Sequence, residues 1–183
     1  MGFFERRKAR KEQEESERLE WIRSTLDEIE EKLNPENKSG IRYSISVGGG
    51  GSSIKKEKTL FDHWSSSVEE PAFQEMLMTC LRMGHYASEN TDFYKRAHID
   101  RKLFSYIAKN RDYHPSKETA VACCIGLRLP LDDAEKLLAC AGYKLSMSIK
   151  WDRIVYYLLK QGYSDMNVFN DFLYEAGEKL IRV

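Results

Sequence analysis

The sequence lacks several features that would assign the protein to a specialised class. It contains no run of about 18 apolar residues, so we expect no transmembrane helix. Its first residues lack the apolar stretch of a secretory signal, so we expect no export leader. The 29 basic and 29 acidic residues cancel, and the chain as a whole is not the uniformly basic kind that binds nucleic acid by charge alone. A nucleic-acid interface would therefore have to be a local patch.

Cysteine is scarce and irregularly spaced. The four thiols, at Cys80, Cys123, Cys124 and Cys140, match neither a metal-ligand spacing nor a disulfide framework. We expect them to be small core residues in a reducing compartment such as the cytoplasm. The four histidines show no paired ligand spacing, and no phosphate loop, dinucleotide motif or Ser-His-Asp order is present. The sequence therefore predicts no metal ion, no cofactor and no catalytic activity.

Composition divides the chain into three segments. The charged fraction of 32% exceeds the roughly 25% of typical globular domains, which indicates that part of the chain is a solvated helix rather than core. We predict a charged helix over residues 1–34, a linker over residues 35–58 and a compact helical domain over residues 59–183.

The predicted N-terminal helix carries an apolar stripe. Its members recur at intervals of three and four, like the a and d positions of a heptad: Leu19, Ile22, Leu26, Ile29 and Leu33. The stripe is only about two heptads long, so an isolated coiled coil would be marginal. Two interpretations stay open: the helix packs on its own domain, or it binds a protein partner or a second copy.

A short β-strand is predicted within the linker. Ile41, Tyr43, Ile45 and Val47 alternate with polar residues, which is the period of a strand. A flexible glycine-rich run follows over residues 48–53. The strand would pair with the next few residues, add to another chain or stay disordered, since an isolated two-stranded hairpin is weak. It is a second candidate contact with a partner protein or a second copy.

Helix signals recur through the third segment. Asp100 and Ser116 are suited to cap helix starts, and Gly142, Gly162 and Gly177 are suited to end helices. The apolar residues between these signals have helical rather than alternating spacing. Five to seven short helices with short connections predict an all-α orthogonal bundle.

Part of this segment resembles a known family. Residues 93–107 have the spacing of a helix-turn-helix, and a Pro-Ser-x-x-Thr segment and two apolar helices follow it. Over about residues 71–145 the sequence resembles the lambda-repressor-like (Xre-type) helix-turn-helix family. The resemblance implies a helix-turn-helix bundle, double-stranded DNA as a partner and a role in transcription regulation. It also implies that four residues face the DNA groove: Arg101, Lys102, Ser105 and Tyr106.

The residues themselves support a basic surface at this point. If Leu103, Phe104 and Ile107 face the core, the outer face of their helix carries Arg101, Lys102, Ser105, Tyr106 and Lys109. Between residues 91 and 117, seven basic residues stand against three acidic ones. Phosphates attract such cations, and base edges accept hydrogen bonds from Arg, Lys and Ser. We therefore predict that these five outer residues bind DNA.

Three residues favour a different use of the same fold. The family usually has a small residue where this chain has Tyr94, and glycine at the turn where it has His98. Asp100 would repel phosphates unless its carboxylate caps the helix. The alternative is a protein-interaction adaptor or regulatory subunit, which reuses a helix-turn-helix scaffold in a multicomponent bacterial or phage-related system.

Overall fold

The structure, a computed structural model, describes residues 3–38, 71–82 and 90–183. Within them the protein is all-α, as predicted, with a short 3₁₀ turn at Pro35–Lys38 and no strand. The helices are α1 (Phe3–Leu33), α2 (Phe73–Arg82), α3 (Asn90–Arg96), α4 (Arg101–Lys109), α5 (Lys117–Leu127), α6 (Leu131–Cys140), α7 (Lys150–Lys160) and α8 (Met166–Glu175). The strand predicted over residues 41–47 and the glycine-rich run after it lie outside the described residues.

Helix α5 forms the centre of the bundle. All of its residues from Thr119 to Leu127 are buried, as expected for a helix without a polar face. It contacts α2, α3, α6 and α8. A Cβ added to Gly126 would lie 2.6 Å from the Cβ of Ala97, just after α3. Glycine at this position therefore lets the end of α3 lie directly on α5.

Local capping signals place two helix starts where the sequence predicts them. The Ser116 side chain accepts a hydrogen bond from the backbone N–H of Thr119. The Asp100 carboxylate accepts hydrogen bonds from the backbone N–H groups of Lys102 and Leu103. Such bonds satisfy the N–H groups that the first turn of a helix leaves without an intrahelical acceptor. Helices α4 and α5 therefore begin directly after these two caps.

Helix α1 packs its apolar stripe against α7 and α8 of the same chain. The stripe is buried or half-buried along its length, at Leu19, Ile22, Leu26, Ile29 and Leu33. Beside it, Trp21 contacts Phe172 edge-on, with 5.0 Å between the ring centroids. The structure thus adopts the first of the two interpretations left open by the sequence. The stripe could hold a partner or a second copy only if α1 left the bundle.

An ion pair that the sequence did not predict joins α1 to α7. Arg153 is buried, and its Nη2 donates to both carboxylate oxygens of Glu30, at 2.8 and 2.9 Å. Its Nη1 donates to the Met147 carbonyl oxygen at 2.8 Å. Burial opposes ionisation of Glu30, but the hydrogen bonds and charge of Arg153 outweigh it and hold the pKa of that carboxyl below its usual range. Glu30 and Arg153 therefore form a charged pair that fixes α1 in place.

Candidate nucleic-acid interface

The edge of the bundle formed by α3 and α4 depends on a tight turn over residues 97–100. His98 has a φ of 52°, in the left-handed region that glycine adopts most easily. The backbone N–H of Ile99 donates to the Tyr94 carbonyl at 2.9 Å, and that of His98 to the Lys95 carbonyl at 3.2 Å. These two bonds form a Schellman motif, which ends α3. The sequence predicts a turn at which glycine would be better suited than histidine. The positive φ of His98 is the reason.

Helix α4 is held against the bundle by aromatic packing. Phe104 and Ile107 are buried. The Phe104 ring lies 5.6 Å from the Phe93 ring and 5.8 Å from the Tyr94 ring, centroid to centroid. Tyr94, which the sequence flagged as larger than expected, is therefore accommodated by packing on Phe104.

The opposite side of α4 carries all five residues predicted to bind DNA. We call this surface the α4 face; it consists of Arg101, Lys102, Ser105, Tyr106 and Lys109. Their side chains line one open groove of about 760 Å³, together with Asn110. Ser105 is half-buried and the other four are exposed. The structure therefore brings the whole predicted set together on one surface.

Tyr106 is exposed but held in place. Its side chain is 57% exposed. Asn110 Nδ2 donates a hydrogen bond to the Tyr106 hydroxyl oxygen at 3.1 Å. The Tyr113 ring meets the Tyr106 ring edge-on, with 5.7 Å between centroids. Burial raises the pKa of the Tyr113 phenol above its usual value.

Three of the seven basic residues counted between residues 91 and 117 are engaged within the protein. Lys117 pairs with the buried carboxylate of Asp152 at 2.6 Å, and Arg111 pairs with Glu75 at 2.8 Å. Arg96 donates to a backbone carbonyl at the end of α5 at 3.0 Å. The predicted surplus of positive charge is therefore smaller than the sequence count. The exposed cations that remain at this edge are Lys95, Arg101, Lys102 and Lys109.

The acidic residue at the head of α4 is used as a helix cap. Asp100 Oδ1 accepts from the backbone N–H of Lys102 at 2.6 Å and from that of Leu103 at 2.8 Å. These bonds direct one carboxylate oxygen toward the positive end of the helix. The sequence required the Asp100 carboxylate to cap the helix, and it does so.

The cysteines belong to the core. Cys80, Cys123 and Cys124 are buried, Cys140 is half-buried, and none of these four forms a disulfide. Burial raises the pKa of Cys80 to about 12 and that of Cys123 further still. Such thiols stay protonated at neutral pH and are poor nucleophiles. The described residues include no group of three or more His, Cys, Asp or Glu side chains arranged to hold a metal ion.

Comparisons with models of protein families, with curated proteins and with solved structures each find no match for this chain. In the part of the chain that the structure describes, no helix is long and apolar enough to span a membrane.

Two residues of the groove region were missed by sequence reasoning. Asn110 and Tyr113 follow α4 and support Tyr106 through a hydrogen bond and a ring contact. One signal was present: Asn110 stands four residues after Tyr106, a spacing that brings side chains together on a helix. The contact with Tyr113 depends on the path of the loop after α4, which residue spacing does not give.

Proposed function

We propose that the protein is a non-enzymatic DNA-binding regulatory protein of helix-turn-helix type. In this proposal α3, the turn over residues 97–100 and α4 form the motif, and α4 enters the major groove of double-stranded DNA. The sequence resemblance to lambda-repressor-like proteins over about residues 71–145 supports it, and the helices from α2 to α6 lie within that range.

The observation that carries the proposal is the composition of the α4 face. Its five residues span about 140° of the helix circumference at about 100° per residue, and the buried Phe104 and Ile107 lie on the other side. The major groove admits one α-helix, which must present polar and cationic side chains outward. Arg101, Lys102 and Lys109 suit phosphates or guanine edges, and Ser105 suits any base with a hydrogen-bonding group.

The same surface gives no support for catalysis. The described residues that line the groove supply cations, a hydroxyl, a phenol and an amide, but no histidine, cysteine or carboxylate. General acid–base chemistry near neutral pH uses such groups most often. The proposal therefore contains no chemical step.

Duplex binding at several salt concentrations tests this function. The full chain is titrated into labelled mixed-sequence duplex DNA, and the association constant is measured from low to moderate salt. A protein that neutralises four phosphates should show a log–log slope of about −3.6. If no salt-dependent binding is seen at low ionic strength, the proposed DNA-binding function is wrong.

A protein-interaction adaptor is the second candidate function, and the first half of α1 favours it. Residues 7–18 are exposed throughout, although they belong to a helix whose second half is packed on the bundle. Pairs such as Lys8 with Glu12 and Arg10 with Glu14 support this exposed half along its own length. An exposed, mixed-charge helix suits a partner of complementary charge. Light scattering and partner capture with the full chain and with a chain lacking only residues 1–15, which keeps the packed half of α1, would test this candidate if the DNA titration fails.

A further inference from the structure

The orientation of the Asn110 side chain is fixed by its own loop. The backbone N–H of Asp112 donates to Asn110 Oδ1 at 3.2 Å. A backbone N–H is always a donor, so the atom it meets must be the amide oxygen. The amide nitrogen, Nδ2, is therefore the atom that faces the Tyr106 hydroxyl, 3.1 Å away.

This orientation determines what Tyr106 offers to a ligand. Because Asn110 Nδ2 has only protons to give, the Tyr106 hydroxyl accepts in this bond. Its own proton has no acceptor among the described residues and is free to donate outward. The ring itself is 57% exposed and is braced on one side by the edge-on contact with Tyr113. Tyr106 thus presents a fixed apolar ring and, next to it, a hydrogen-bond donor.

We propose that Tyr106 is a specificity-determining residue that selects thymine in the major groove. Thymine displays a methyl group at C5 beside an acceptor oxygen at C4, and no other standard base shows a methyl group and an acceptor together. The ring of Tyr106 would contact the methyl group while its hydroxyl donates to O4. This inference rests on the proposed DNA-binding function and names the base that the α4 face prefers.

Modified bases separate the two parts of this contact. The full chain is first used to select duplexes from a random-sequence pool, and each thymine of the selected duplex is then replaced in turn by deoxyuridine. Deoxyuridine keeps O4 and lacks the methyl group. At the contacted position we expect about a fourfold loss of affinity, the equivalent of one buried methyl group.

Variants of Tyr106 assign that loss to this residue. Tyr106→Phe keeps the ring, so the fourfold penalty for deoxyuridine should persist while overall affinity falls about fivefold for the missing hydrogen bond. Tyr106→Ala removes the ring, so thymine and deoxyuridine should bind equally well at that position. The exposed position of this side chain makes both variants compatible with folding.

Asn110→Asp tests the direction of the hydrogen bond. A carboxylate of the same shape can still accept from the Asp112 N–H, but it cannot donate to Tyr106. The phenol would then donate inward and present its oxygen as an acceptor. The natural chain should prefer thymine over 5-methylcytosine, which has a donor amine at C4, by about tenfold at this position. In the Asn110→Asp variant the outward acceptor suits the amine of 5-methylcytosine, so this ratio should fall below one.

The outcomes distinguish thymine selection by Tyr106 from the DNA-binding function on which it depends. If the chain selects no duplex and shows no salt-dependent binding, the proposed function fails and the inference fails with it. If duplexes are bound but no thymine responds to deoxyuridine, DNA binding stands and thymine selection by Tyr106 is wrong. The same conclusion follows if the response persists in Tyr106→Ala or if the thymine to 5-methylcytosine ratio is unchanged in Asn110→Asp.

Discussion

The α4 face and the junction between α1 and α7 use charged side chains in opposite ways. At the junction, the guanidinium of Arg153 is buried and binds the Glu30 carboxylate through two short contacts. On the α4 face, Arg101, Lys102 and Lys109 are exposed, and the described residues offer them no ion pair. Charges at the junction stabilise the fold, whereas those on the α4 face are available to a ligand. Counting charges along the sequence cannot separate structural charges from charges available to a ligand. The partners of each charge in the folded protein separate them.

Removing Glu30 is expected to have the largest effect on stability. Glu30→Ala would leave the buried Arg153 guanidinium without its counter-charge. Breaking a fully buried pair costs about 3–5 kcal/mol, and we expect about 3 kcal/mol because the Glu30 side chain is 33% exposed. Urea unfolding gives the free energy of unfolding. Arg23→Ala, which breaks the exposed pair between α1 and Glu175, is the control and should cost less than about 1 kcal/mol.

The junction should also depend on pH. Because the folded-state pKa of Glu30 lies below its usual 4.5, its charge stabilises the fold fully above that value. This contribution is lost as the pH falls through the lower folded-state pKa. The stability difference between the natural chain and Glu30→Gln should therefore be constant near neutral pH and shrink under acid conditions. If this stability difference grew on acidification, the charged pair between Glu30 and Arg153 would be contradicted.

Gly126→Ala is expected to have the next largest effect, because it disturbs the contact that seats α3 on α5. The added methyl group would lie 2.6 Å from the Ala97 Cβ and 3.0 Å from its backbone nitrogen, so the two helices must separate. Such overpacking costs about 2 kcal/mol. The double variant Gly126→Ala with Ala97→Gly removes the shorter contact and should recover part of that loss. Equal unfolding free energies for the single and double variants would show that the contact with the Ala97 Cβ is not the cause of the destabilisation.

Substitutions of Asp100 separate its cap from its charge. Asp100→Ala should cost about 1 kcal/mol of unfolding free energy because α4 loses its cap. Asp100→Asn keeps a capping oxygen, so stability should change little while duplex affinity rises with the loss of a negative charge. Asp112→Ala, which removes an equal charge from the exposed loop after α4, should leave stability nearly unchanged. Destabilisation by Asp112→Ala as large as that by Asp100→Ala would contradict the cap.

His98→Gly should have the smallest effect, and it should be stabilising. A side chain in the left-handed region costs about 1–2 kcal/mol, which glycine would relieve. Part of that gain is offset because glycine has more conformational freedom in the unfolded chain. We expect a net gain of about 0.5 kcal/mol, measured by thermal unfolding. A loss of stability would mean that the exposed imidazole of His98 makes a stabilising contact in the folded protein.

The comparison also shows which features the sequence could predict. Asp100 and Ser116 cap helices through bonds to residues two or three positions away, so local order was sufficient to place α4 and α5. The α4 face was predictable for the same reason, since helical spacing alone separates its residues from Phe104 and Ile107.

Long-range partners were not predictable in the same way. The spacing of the stripe in α1 predicts an apolar face, but that face meets α7 and α8, which lie more than a hundred residues away. Lys117 was counted among the cations of the interface, yet it binds Asp152, 35 residues further along the chain. Residue spacing describes one element, whereas these contacts depend on how elements pack.

The salt dependence of duplex binding in two matched double variants tests the central claim most directly. One variant, Arg101→Ala with Lys102→Ala, removes two cations from the α4 face. The other, Lys160→Ala with Arg182→Ala, removes two exposed cations that do not line the groove. We predict that the first flattens the log–log slope by about 1.8 and that the second leaves it unchanged. Equal slopes for both variants and the natural chain, or no salt-dependent binding in any of them, would contradict the assignment of the α4 face to DNA.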